Sequence, residues 1–167
     1  MLGCFLIPDF LLAISMRTQG LAGEKCVVLL DPRTQSVLGM TPAARRLGVE
    51  EGVYHSRARS LCPEAHFICT RADDIEAATS KLLDLFQSVS PTIELAAPGT
   101  VLFDLGREED FGALRREGLA LIQKVQKQFL LRGKLGVAAT RFVARLAAVE
   151  ARGGDCVLLQ PGEESSF

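Results

Sequence analysis

The stretch Leu135-Gly-Val-Ala-Ala-Thr-Arg-Phe-Val-Ala-Arg-Leu-Ala147 shows on a small scale how this chain is built. Its first four residues, Leu135–Ala138, form an apolar run that is typical of a buried strand. A helix is predicted to follow over Arg141–Ala151. Short apolar strands that alternate with helices rich in Ala, Leu and Val indicate a layered fold that contains both kinds of element.

The same two patterns occur along the rest of the chain. Further strands are predicted at Leu2–Leu6, Cys26–Leu30, Ser36–Met40, His66–Cys69, Val101–Leu105 and Cys156–Leu159. Further helices are predicted at Phe10–Met16, Pro42–Leu47, Tyr54–Leu61, Asp73–Val89 and Phe111–Leu131. We therefore expect an α+β fold in which two helices pack on one face of a mainly antiparallel sheet, a ferredoxin-like arrangement. The periodicity is equally compatible with other α+β folds.

Composition sets limits on the class of protein. The 167 residues are 48% hydrophobic and 23% charged, which suits one domain or two small lobes with a proper core. The formal net charge of −1 gives no general argument for nucleic-acid binding, so such binding would have to depend on local patches. The apolar opening, Met1–Ile7, is too short for a membrane span and lacks the basic start of a signal peptide. We expect a cytoplasmic protein without a membrane partner.

Several common kinds of site are not indicated. The five cysteines form no C-x-x-C pair, and an odd number suits a reducing compartment better than a disulfide framework. Four of them lie in strand-like runs and are expected to be small core residues. With only two histidines, no zinc site is expected. The chain also lacks the glycine-rich phosphate motifs and the G-x-S-x-G nucleophile motif.

Two aspartates lie where strands are predicted to end. Asp9 follows the first strand, and Asp104 lies near the end of the strand over Val101–Leu105. Two such acids could share a magnesium ion, as two-metal chemistry requires several converging carboxylates. Capping of a following turn or helix is the more ordinary role for each aspartate, and we favour it.

Arginines lie in groups on predicted helices. Arg45 and Arg46 are adjacent on one short helix, and Arg141 and Arg145 are four residues apart and so share a helix face. Guanidinium groups bind phosphate well, whether it belongs to a nucleotide or to a nucleic-acid backbone. For any single arginine, a solvated charged surface is the simpler interpretation.

Four stretches, in order and at matching intervals, resemble the catalytic half of the Y-family (UmuC/DinB-like) DNA polymerases. They are Cys4-Phe-Leu-Ile-Pro-Asp-Phe-Leu-Leu-Ala13, Ser36 to Val49 with its continuation Arg57-Ala-Arg-Ser-Leu-Cys-Pro63, Ser90-Pro-Thr-Ile-Glu94 with Val101-Leu-Phe-Asp-Leu105, and the opening stretch Leu135 to Ala147. The second and fourth stretches are similar to the family's fingers motif and to its G-I-A-x-N-K-x-L-A-K-L-A segment. The resemblance implies a palm formed by residues 1–10 and 70–167 and fingers formed by residues 11–69. On this resemblance, we expect the family's thumb and little finger to be absent from this chain.

The resemblance also identifies where the family's metal-binding carboxylates would lie. The leading aspartate of the first motif corresponds to Ile7, and the Asp-Glu pair of the third corresponds to Gly99 and Thr100. Asp9 and Asp104 remain as residual acids, and Glu94 is the only other carboxylate nearby. No metal or other cofactor is therefore expected, and magnesium enters only if the remaining acids rebuild a site.

Some phosphate-binding positions are kept and others are lost. Arg45 corresponds to the family's triphosphate-binding arginine, and Arg145 stands where the family has a lysine near the triphosphate. Pro42 replaces the tyrosine beside that arginine, and Leu12 occupies the aromatic position that excludes ribose. Arg45, Arg46, Arg141 and Arg145 are thus the candidate contacts to phosphate or DNA.

This combination of a kept fold and lost acids is similar to the non-catalytic ImuB subgroup. That resemblance implies an accessory protein in DNA damage tolerance, translesion synthesis and SOS mutagenesis that is not itself an enzyme. Its implied partners are primer-template DNA, the sliding clamp, a RecA-like accessory protein and an error-prone C-family polymerase. Two alternatives remain, an active translesion polymerase with a rearranged metal site and a protein-interaction domain without DNA binding.

Overall fold

The computed structural model describes residues 1–106, 110–160 and 162. Its strands are β1 (Leu2–Leu6), β2 (Val27–Leu30), β3 (Val37–Met40), β4 (His66–Cys69), β5 (Ile93–Ala97), β6 (Thr100–Asp104), β7 (Lys134–Ala138) and β8 (Cys156–Leu158). Its helices are α1 (Phe10–Thr18), α2 (Pro42–Arg46), α3 (His55–Leu61), α4 (Ala72–Gln87), α5 (Phe111–Phe129) and α6 (Arg141–Glu150). The predicted α+β class is confirmed.

The chain divides into two compact units. The first consists of Met1–Pro8 and Thr79–Phe167, and the second of Asp9–Ala78. The second division between these units falls after Ala78, within the residues of α4. The assignment of residues 1–10 and 70–167 to a palm and of residues 11–69 to fingers stays a prediction.

The first unit is built on a mixed sheet in the order β5-β6-β1-β7-β8. All its neighbouring pairs are antiparallel except β7 and β8, which are parallel and joined through α6. Helices α4 and α5 pack on one face, where the Phe86 ring lies 5.1 Å from the rings of both Phe5 and Phe103. This is the mainly antiparallel, helix-backed sheet that the sequence predicted.

Helix α6 lies on the opposite face of that sheet, and the prediction of helices on one face only is incomplete in this respect. Its alanines Ala144, Ala147 and Ala148 are buried against Cys4 and Ala138. The close approach depends on Gly136 of β7, because a Cβ there would overlap the backbone of α6. Beyond α6, the part of this face that β5 and β6 form stays open, with Glu94 exposed.

Strand β5 was not predicted. It lies at the edge of the sheet, and its three central residues are exposed, so it lacks a continuous apolar run. It pairs with β6 through the two-residue turn Pro98-Gly99, in which Gly99 has φ 76°. Proline followed by glycine favours a type II turn, because glycine readily adopts positive φ. The dipeptide Pro98-Gly99 was therefore the sequence signal that could have indicated a hairpin.

The second unit is a three-stranded sheet in the order β3-β2-β4 between helices. Strand β2 is antiparallel to β3 and parallel to β4, and its four residues are all buried. Helices α2 and α3 cover one face through Ala44 and Ala58, and α1 covers the other through Leu12. No helix in the described ranges is both long and apolar enough to span a membrane.

Candidate functional site

The three positions that the sequence resemblance predicts for the family's carboxylates lie together at one end of the β1–β6 ladder. Leu6 pairs with Thr100, and the Ile7 backbone N–H donates to the Gly99 carbonyl at 2.8 Å. Ile7 and Thr100 are only 2% and 6% exposed. The structure therefore brings Ile7, Gly99 and Thr100 into one small region, although they come from two distant parts of the sequence.

These side chains do not fit a magnesium ion. Mg²⁺ binds oxygen ligands, chiefly carboxylates, in near-octahedral geometry. The three positions offer one alkyl group, one hydrogen and one hydroxyl. Among the described residues, no three His, Cys, Asp or Glu side chains are grouped as metal ligands.

Asp104 lies at the other end of the same ladder. It pairs with Leu2, whereas Thr100 pairs with Leu6, so about 13 Å of strand separate Asp104 from Thr100. Its Oδ1 accepts a hydrogen bond from the Gly106 backbone N–H at 2.8 Å. The prediction that Asp104 caps a turn is confirmed, and a metal site that combines Asp104 with the Ile7 region is incompatible with this register.

Asp9 occupies the N-cap position of α1 with φ 52° and ψ 32°. Its exposed side chain makes no capping hydrogen bond, so the predicted capping role is wrong for this residue. Aspartate tolerates the left-handed region better than most residues, which allows the chain to turn from Pro8 into the helix.

A shallow cleft opens beside α6, on the part of the same sheet face that α6 leaves uncovered. Its volume is about 190 Å³, and Leu2, Glu94, Leu102, Asp104 and Arg141 contribute to its lining. Ligand pockets for whole small molecules measure roughly 300–1,000 Å³, so this cleft by itself is too small for a nucleotide. Its main polar feature is the ion pair between Arg141 Nη1 and Glu94 Oε2 at 2.6 Å.

The two predicted arginines of α6 have different surroundings. Arg141 is engaged by Glu94, yet its side chain remains 63% exposed. Arg145 is exposed and carries its charge near Cys4. Burial raises the pKa of the Cys4 thiol to about 11, and the positive charge of Arg145 partly opposes that rise. Both guanidinium groups can reach solvent.

The predicted arginines of the second unit lie on α2, a helix of five residues. Thr41 precedes it and is buried, and its hydroxyl accepts from the Val27 backbone N–H at 3.0 Å, which ties α2 to β2. Arg45 Nη2 lies 3.4 Å from Glu51 Oε1, and both side chains are more than 60% exposed. Arg46 is also exposed. The Arg45 guanidinium is thus available to a ligand.

Sequence reasoning missed side-chain pairs between distant parts of the chain, and two of them concern the cleft and the second unit. Glu94 and Arg141 are 47 residues apart in the chain, and Cys26 and Cys62 are 36 apart with their sulfur atoms at 3.0 Å. Neither pair follows a spacing rule. Only the placement of the elements brings them together.

Several known proteins resemble this chain in sequence or in fold. The model of the impB/mucB/samB family matches residues 7–149. A solved post-insertion binary complex of Dbh DNA polymerase superposes on 100% of this chain and 50% of its own, with a TM-score of 0.87 at 20% identity. DinB from Sulfolobus solfataricus superposes on 98% of this chain and 49% of its own, with a TM-score of 0.83 at 21% identity.

Curated relatives include the DNA polymerase IV of Treponema denticola, which is 24% identical over 74% of this chain and 32% of its own length. The DNA polymerase IV of Methanoculleus marisnigri is 24% identical over 96% of this chain and 46% of its own length. The chain thus spans less than half the length of these relatives. The fold is that of the palm and fingers of a Y-family DNA polymerase. The chain belongs to the impB/mucB/samB family.

Proposed function

We propose that this chain is a non-catalytic, ImuB-like accessory domain in DNA damage tolerance and induced mutagenesis. The observation that carries the proposal is that Ile7, Gly99 and Thr100 lie together, at the positions to which the sequence resemblance assigns the family's carboxylates. Two-metal nucleotidyl transfer needs two cations about 4 Å apart, one near the attacking oxygen and one near the leaving oxygen. Carboxylates hold these cations in place. A buried isoleucine at such a position also raises the free-energy cost of bringing a cation there.

A second candidate is an active translesion polymerase, and the names of the curated relatives favour it. It requires other carboxylates to replace the lost ones. Glu94 is already paired with Arg141, and Asp104 lies at the far end of the ladder, which leaves Asp9 as the remaining acid of the three. Magnesium would serve as the cofactor only under this alternative.

DNA is the proposed partner of this chain itself, through the exposed arginines of α2 and α6. The structural likeness to a post-insertion binary complex of Dbh DNA polymerase supports this choice. The formal charge of −1 instead favours a protein-interaction domain without DNA binding. Fluorescence anisotropy with a labelled primer-template separates these two possibilities. Binding that weakens steeply as salt rises supports the DNA interface, whereas no binding at 50 mM salt supports the interaction domain.

We expect Arg45→Ala to weaken primer-template binding about fivefold and to lower the salt slope by about one, because one phosphate contact is lost. Folding should be unaffected, since an exposed ion pair such as Arg45–Glu51 contributes at most about 1 kcal/mol. Anisotropy titrations and urea unfolding measure the two effects. Arg116→Ala is the matched control, because Arg116 is also an exposed arginine near a carboxylate but lies on α5. Equal losses in both variants would contradict a specific role for Arg45.

We expect Glu94→Gln to strengthen primer-template binding about threefold, because it releases the Arg141 guanidinium for phosphate and removes a negative charge. The effect should vanish when Arg141→Ala is also present, and a double-mutant cycle by anisotropy measures this. Asp155→Asn is the matched control, since Asp155 forms a comparable exposed pair with Arg115. A gain that persists without Arg141 would mean that only net charge matters.

The remaining proposed partners are the sliding clamp, a RecA-like accessory protein and an error-prone C-family polymerase, all in the cytoplasm. The complete gene product should be used to test them, since this chain spans less than half the length of the curated relatives named above. Pull-down of each purified partner by the tagged gene product tests the accessory role. Retention of at least one of them at physiological salt supports that role, and retention of none contradicts it.

A further inference from the structure

We propose that Cys26 and Cys62 form a disulfide bond under sustained exposure to a peroxide, and that this bond fastens the start of β2 to the end of α3. The two sulfur atoms are 3.0 Å apart, whereas a disulfide bond measures about 2.0 Å. An approach of about 1 Å by the sulfurs is therefore sufficient. Both residues belong to the second unit, and the proposal does not depend on the proposed function.

The positions of the two residues favour this pairing over any other. Cys26 directly precedes β2, and Cys62 is the C-cap residue of α3. Cys69 lies at the other end of β4: Val27 pairs with His66 and Leu30 with Cys69, so about 10 Å of strand separate Cys69 from the Cys26 end. Cys4 and Cys156 belong to the first unit.

The chemistry begins at Cys26, because Cys26 is half-buried whereas Cys62 is 1% exposed. The Cys26 thiol releases its proton, and the thiolate attacks one oxygen of hydrogen peroxide. The O–O bond breaks, and the departing hydroxide takes up that proton, so a sulfenic acid and one water form. The Cys62 sulfur then attacks the sulfenic sulfur and displaces the hydroxyl, which leaves as a second water. Two thiols are oxidised by two electrons, and one peroxide is reduced to two waters.

The reaction is expected to be slow. Burial raises the pKa of the Cys26 thiol to about 11, helped by the contact with Cys62, so little thiolate is present near neutral pH. The disulfide bond would therefore form only under lasting oxidation and would not serve as a rapid redox sensor. Once formed, it closes a long loop and restricts the unfolded chain, so the oxidised second unit should be more stable.

Peptide mapping identifies the bond directly. Trypsin cleaves after Lys25 and Arg33 and after Arg59 and Arg71, which places Cys26 in one peptide and both Cys62 and Cys69 in another. The Cys69→Ser variant removes that ambiguity. Each protein is incubated with hydrogen peroxide for several hours, its remaining thiols are alkylated, and the digest is analysed by mass spectrometry with and without dithiothreitol.

The linked peptides should appear in the unmodified protein and in Cys69→Ser, and should be absent from Cys26→Ser and Cys62→Ser. The oxidised protein should also unfold at a midpoint temperature higher by about 5 °C or more, and dithiothreitol should reverse this shift. Should Cys26→Ser or Cys62→Ser fail to fold, the peptide maps of the unmodified protein and of Cys69→Ser still decide the question. If Cys26 and Cys62 both remain free for alkylation after the peroxide treatment, or if Cys26 is linked to another cysteine, the proposal is overturned.

Discussion

Replacing Gly136 with alanine is expected to lower the free energy of unfolding by about 3 kcal/mol. A Cβ at this position would overlap the Ala144 carbonyl oxygen and the Ala148 backbone nitrogen, which are main-chain atoms of α6. Helix α6 would have to move away from β7 and uncover the alanines buried between them. Overpacking of this kind typically costs 1–3 kcal/mol, and a clash with backbone is the less tolerant case. Urea unfolding followed by circular dichroism measures the change.

Gly153→Ala is the matched control for that variant. A Cβ at Gly153 would meet only the Arg132 side chain at 3.7 Å, an ordinary contact. The control should unfold within about 0.5 kcal/mol of the unmodified protein. If Gly136→Ala unfolded at the same urea concentration as Gly153→Ala, then α6 would not pack against the sheet as described.

Replacing Phe86 with alanine is expected to cost about 4 kcal/mol of stability. Phe86 is fully buried, and its ring makes edge contacts with both Phe5 and Phe103, so the change removes apolar burial and two ring pairs and leaves a cavity. Phe142→Ala makes the same chemical change at a side chain that is 76% exposed, and should cost less than about 0.5 kcal/mol. Thermal and urea unfolding of the two variants give the comparison. Similar losses in both would mean that the core of the first unit lies elsewhere.

Much of the fold could be predicted because its elements carry local signals. The apolar run before Asp31 predicted β2, and Thr41-Pro42 predicted the start of α2, each within a residue of the structure. Strand β5 was missed because an edge strand with exposed residues has no apolar run. The position of α6 was also missed, since the contact of Gly136 with α6 is a matter of packing and not of periodicity.

The candidate site was predictable only where register follows from counting. Aligning Ile7 with the first motif and counting back from Asp104 identified Gly99 and Thr100, and the ladder does place these three positions together. The same register separates Asp104 from these three positions. The sequence shows that a residue lies near the end of a strand, but not which end of the sheet that is. The pair of Glu94 and Arg141 depends on β5 and α6, the two elements whose presence or placement was missed.

Primer extension by the complete gene product tests the proposed loss of catalytic activity most directly. The assay uses a primed template with magnesium and then with manganese, next to an active Y-family polymerase as the positive control. We predict no incorporation with either metal by folded protein that still binds the primer-template. Incorporation that is abolished by Asp9→Asn would mean that a relocated metal site exists, and would contradict the non-catalytic account.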